Sequence, residues 1–120
     1  MSKLTCVVVP VGEKPFVHEI ENEFRNFQDL VGGYIEILPL SPTLLLLCDE
    51  DAKCKGREGN RHVGSQIIAG TFAIVGDAGE NFRSLSESEQ RNLLSFFADP
   101  EQISPEEVED SMVITFVPMD

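Results

Sequence analysis

Basic residues are scarce in this chain of 120 residues: nine lysines and arginines stand against 21 aspartates and glutamates, for a formal net charge of −12. That balance disfavours direct binding to DNA, RNA or anionic membranes, because the molecule as a whole repels them. Cysteine is scarce too. The three thiols make an odd number, and Cys6 and Cys48 lie in apolar stretches where cysteine behaves as a small hydrophobe, which argues against a secreted disulfide framework. No apolar run approaches the roughly eighteen residues of a membrane span. Leu4 to Val9 is cut off by Pro10, too short for a secretory signal core with its cleavage site. Together these absences predict a reduced, cytoplasmic, soluble protein without membrane contact.

Chemical signatures are missing as well. There is no Walker pattern, no dinucleotide fingerprint, no nucleophile elbow, no paired-histidine helix and no Ser/His/Asp order. No catalytic residue is assigned, and no cofactor. Cys48, Cys54 and His62 match no zinc spacing, and Asp49, Asp51 and Glu58 miss the twelve-residue calcium pattern, so no metal site is assigned either.

What is present fits a single domain over residues 1–120 with an ordinary hydrophobic fraction of 42%. Leu4 to Val9 reads as a buried strand, and Val11 to Pro15 as a turn. Val17, Ile20, Phe24, Phe27 and Leu30/Val31 recur at helical spacing, which predicts an amphipathic helix ending at Gly32. Tyr34 to Leu38 alternates as a half-buried strand. Thr43 to Cys48, with four consecutive leucines, predicts a central strand covered on both sides and hairpin-paired to it. Residues 49–64 read as a long glycine-punctuated loop. Gln66 to Val75 reads as one strand, bulged at Gly70. Ser86 and Glu89 form a capping-box signature ahead of Leu93, Leu94 and Phe97. Ser104-Pro105 opens a short helix, and Met112 to Val117 reads as a last strand. The expected class is α+β, with about five mainly antiparallel strands and two helices on one face, in the order β-α-β-β-loop-β-α-β. A ferredoxin-like arrangement or an irregular half-barrel would accommodate it.

Two regions carry candidate sites. Lys53, Lys55, Arg57 and Arg61, with Asn60 and nearby glycines, could cradle a small anion or nucleotide. Tyr34 and Glu36 share a strand face and could floor the same pocket, with Arg61 as an ion partner for Glu36. The second region is acidic. Glu101, Glu106, Glu107, Glu109 and Asp110 form a run without a base that could face a protein bearing a basic surface.

The succession VGGYIEILPL, an apolar strand running into CDEDAKCKGREGNR, then GTFAIVG and FRSLSESEQ resembles the family described as domain of unknown function 3846, found in bacteriophages, plasmids and their bacterial hosts. The resemblance runs from about Lys3 to Phe97. Gly32, Gly33, Tyr34, Ile35, Glu36, Lys53, Gly56, Asn60, Arg61, Gly70, Thr71, Gly76, Phe82 and Leu85 fall on the family pattern. Cys48-Asp49 departs from it where asparagine is usual, and Ala52 where glycine is usual. The resemblance implies a small accessory protein of mobile genetic elements and no particular activity. The expected function is therefore non-enzymatic binding through the acidic C-terminal surface, and the resemblance implies a host or phage protein with a basic surface as the partner. A small-anion or nucleotide module built on residues 53–61 is the alternative, and a hydrolase or other enzyme is the third reading.

Overall fold

The computed structural model describes residues 3–115. In chain order the elements are β1 (Lys3–Val9), β2 (Phe16–Glu21), α1 (Phe24–Val31), β3 (Ile35–Ser41), β4 (Leu44–Asp49), β5 (Gly59–Val63), β6 (Gln66–Ala69), β7 (Phe72–Asp77), β8 (Phe82–Arg83), α2 (Glu87–Phe96) and α3 (Pro105–Thr115). The class is α+β and the strand pairs are antiparallel. The main sheet runs β2-β1-β7-β4-β3, with β8 beside β7, while β5 and β6 form a separate ribbon. This order is longer than the expected β-α-β-β-loop-β-α-β and lacks its ferredoxin-like alternation.

β1, β4 and β7 carry apolar residues on both faces, so both faces of the sheet need cover. Val7, Val9, Leu46, Phe72 and Ile74 pack beneath Leu93 and Phe97 at α2 and Ile68 of the ribbon. Leu4, Cys6, Val8, Leu47 and Val75 pack against Phe27 of α1 on the other side. The helices α1 and α2 therefore lie on opposite faces, not on one. The leucine run is a strand, as its pattern predicts, and contributes Leu46 to one cluster and Leu47 to the other. The middle place in the sheet belongs to β7, however, with β4 between it and β3.

Four local expectations are corrected. The helix expected from Val17 begins only at Phe24, because Phe16 to Glu21 hydrogen-bonds along β1 in a hairpin, with Cys6 opposite His18 and Leu4 opposite Ile20. The expected loop 49–64 contains β5, whose Gly59, Asn60 and Arg61 are buried in spite of their polarity. The expected single strand Gln66 to Val75 is two strands in different sheets. Between them Gly70 adopts φ +75° and donates its N–H to Glu58 O at 2.9 Å, a left-handed turn that favours glycine. Finally, α3 continues as helix to Thr115 where a strand from Met112 was expected; Phe116 and Val117 lie outside the described residues. The capping box is formed as predicted: Ser86 Oγ accepts from Glu89 N–H at 3.1 Å, and Glu89 Oε1 accepts from Ser86 N–H at 2.9 Å.

Candidate functional site

The basic segment folds onto an acid. Asp49 ends β4 with a fully buried side chain, and its Oδ2 accepts from Lys55 Nζ at 2.9 Å and Arg57 Nε at 3.1 Å. Its Oδ1 accepts from the Asp51 N–H at 2.9 Å and closes the turn. Burial alone would push this carboxyl up, but the hydrogen bonds from Lys55 and Asp51 and the charges of Lys55 and Arg57 outweigh it and hold Asp49 below its ordinary value. Both cations also reach the carbonyl that ends α1, with Lys55 Nζ 3.2 Å and Arg57 Nη2 2.9 Å from Gly32 O. Cations at the C-terminal end of a helix are favourable. Gly32 sits at φ +86°, and a Cβ on Gly33 would lie 2.5 Å from Asp49 Oδ1 and 2.6 Å from Lys55 Nζ. The paired glycines thus give the knot its space.

Asn60 and Arg61 are interior residues. Asn60 Nδ2 donates to Val9 O and Gly70 O, both at 2.8 Å, and ties β5 to β1 and to the turn before β7. Arg61, 1% exposed, donates from Nη1 to Asn60 Oδ1 at 2.6 Å and from Nη2 to Glu13 O at 2.8 Å and Phe97 O at 2.9 Å. Among the described residues its Nε is the buried side-chain nitrogen left without a partner. Burial pushes the guanidinium below its ordinary value, and the charges of Glu101 and Asp99 pull it back. The anticipated Glu36–Arg61 ion pair is not formed among the described residues, since Arg61 is spent on backbone carbonyls.

Of the residues expected to bind an anion, an open cleft of about 500 Å³ brings together Glu36 and Lys53. Leu38, Ala52, Ile67, Ile68 and Ala69 supply its apolar lining, and Glu50, Ser65, Gln66 and Ser111 its polar side. Tyr34 is not part of it and lies 70% exposed on the surface. Cys48 borders the cleft, but burial, with the Glu36 and Asp49 charges adding and Lys53 opposing, pushes its thiol up to about 12, so it stays protonated. Burial raises Cys6 to about 11 as well. Among the described residues no group of three or more His, Cys, Asp or Glu side chains is placed to hold a metal ion.

The acidic region divides. Glu101 and Glu107 converge on His62, 2.6 Å from Nδ1 and 2.7 Å from Nε2 respectively. Glu106, Glu109 and Asp110 are exposed on α3 and make no ion pair among the described residues. Sequence spacing tests His62 and Asp49 only as metal ligands, and for the buried ion pairs of Asp49 the one available signal is a polar residue next to an apolar strand end.

A family model described as domain of unknown function DUF3846 matches residues 4–98, and the chain belongs to that family. The match ends before the acidic stretch and α3. No curated protein and no solved structure matches the chain. No helix among the described residues is long and apolar enough to cross a membrane.

Proposed function

We propose that this member of a family without an assigned activity acts by binding, presenting the exposed carboxylates of α3 to a basic surface on a protein partner. The observation that carries the reading is the separation of charge by fate. Lys55, Arg57 and Arg61 are engaged internally by Asp49 and backbone carbonyls, whereas Glu106, Glu109 and Asp110 point outward uncompensated. Engaged cations have little left to offer a free anion. Outward carboxylates on one helix offer a concentrated field that steers a cationic partner and sets the salt dependence of the encounter. An accessory role inside the cell, in the mobile-element setting that the sequence resemblance implies, fits this reading.

Glu107 is left out of the test because it is bonded to His62. Wild type and the triple variant Glu106→Lys, Glu109→Lys, Asp110→Lys are immobilised and compared for retention of a lysate partner as salt rises. A protein retained by the wild type, eluted by salt and lost in the variant supports the reading. Equal retention by both, or retention indifferent to salt, removes it.

A further inference from the structure

Both ring nitrogens of His62 face carboxylates, Nδ1 at 2.6 Å from Glu101 and Nε2 at 2.7 Å from Glu107. A neutral imidazole carries one N–H and one lone pair, so it can donate to one of them and must set a lone pair against the other. Only the imidazolium satisfies both. The two contacts are not equivalent, because Glu101 also accepts from the backbone N–H of His62, at 3.2 and 3.3 Å to its two oxygens. Losing the proton therefore leaves Glu101 anchored and breaks the bond to Glu107, the one that belongs to α3.

Among the described residues no lysine or arginine forms an ion pair with Glu101 or Glu107, although the buried Arg61 feels the Glu101 charge. The groups facing His62 are Glu101, from the segment between α2 and α3, and Glu107, from α3 itself. Its cross-strand neighbour on β6 is the uncharged Ile67, and the adjacent Arg61 is buried among backbone carbonyls. Packing also holds α3 at Val108, which is buried, and a Cβ on Gly59 would lie 3.0 Å from Val108 Cγ2 and 2.8 Å from Ile103 Cβ. Ser104 Oγ accepts from the Glu107 N–H at 3.1 Å, so the bond at risk lies in the first turn of the helix.

We propose that His62 is a proton-operated latch, its imidazolium tying the first turn of α3 to β5 and its deprotonation releasing Glu107. The latch deepens the binding reading above and rests on it for its purpose, since release adds a free carboxylate to the acidic face and loosens the helix that carries it. The hydrogen bonds that the ring donates to Glu101 and Glu107 raise the histidine above its ordinary 6.5, with burial opposing them. A folded-state value above the unfolded one means that the latch is complete below 6.5 and is lost as pH rises through the raised value.

The test needs no partner, so its failure is separate from failure of the binding reading. The full chain is titrated from roughly pH 5 to pH 9 by NMR, following the His62 ring nitrogens and the backbone amides of Glu106 to Ser111. Expected is one shared transition above 6.5, with protection factors in the first turn of α3 falling roughly threefold to tenfold across it. Glu107→Gln and His62→Gln should each abolish the response of α3, and His18→Gln should leave it intact. Amides of α3 that stay still while His62 titrates, or a transition that survives in Glu107→Gln, would overturn the proposal.

Discussion

Residues 49–61 and 99–110 are the two charged margins of the molecule, and they use charge in opposite ways. In the first, a buried aspartate and two helix-end contacts absorb Lys55 and Arg57, and Arg61 is enclosed in the core. In the second, Glu101 and Glu107 are engaged by one histidine while Glu106, Glu109 and Asp110 face water. Sign and density of charge in a sequence therefore do not indicate what is available for binding. The number of internal partners does.

The contrast can be broken most forcefully at Arg61. Replacing it with alanine strands the carbonyls of Glu13 and Phe97 and the Asn60 amide oxygen and leaves a cavity, so a loss of about 3–5 kcal/mol in urea unfolding is expected. A surface arginine would show almost nothing. Next comes Asp49→Ala, which leaves Lys55 and Arg57 without their acid and should cost about 2–3 kcal/mol. The same carboxylate gives a pH signature. Its folded value is depressed, so its stabilisation is present above the ordinary 3.8 and disappears as pH falls through the lowered value. Asp49→Asn should flatten that acid limb in unfolding measured as a function of pH.

Smaller effects sharpen the comparison. Lys55 and Arg57 are 41% and 39% exposed, so each alanine substitution should cost under about 1 kcal/mol, well below Asp49→Ala. Smallest of all are Glu106→Lys, Glu109→Lys and Asp110→Lys, each within about 0.5 kcal/mol of wild type in stability. A substantial loss from any of these three would mean that α3 is held by its outward acids.

Much of the scaffold was legible because its residues act locally. The capping box at Ser86, the leucines of β4 and the apolar stretch of β1 each announce an element through near neighbours. β2 was not legible: Val17, Ile20, Phe24 and Phe27 keep helical spacing across the bend at residues 22–23, and only pairing with β1 decides that the first part is a strand. β5 was hidden for a different reason. Asn60 and Arg61 look like loop residues until Val9, Glu13 and Phe97, distant in sequence, bring carbonyls to them. The residues grouped as an anion site are dispersed on the same account, since Arg61 is part of the core and Tyr34 lies outside the cleft, while the exposure of Glu106, Glu109 and Asp110 on a helix needs no distant partner to be recognised.

The central claim is that Lys55, Arg57 and Arg61 are internally satisfied, whereas Glu106, Glu109 and Asp110 are open. Its most direct test is a pair of NMR titrations on the intact chain, one with a short lysine oligomer and one with inorganic triphosphate. The account predicts that the lysine oligomer shifts amides in residues 99–110 more than those beside the other acids, reversibly with salt, and that triphosphate leaves residues 49–61 unmoved. A saturable triphosphate shift running from Lys53 to Arg61, with α3 silent towards the lysine oligomer, would contradict it.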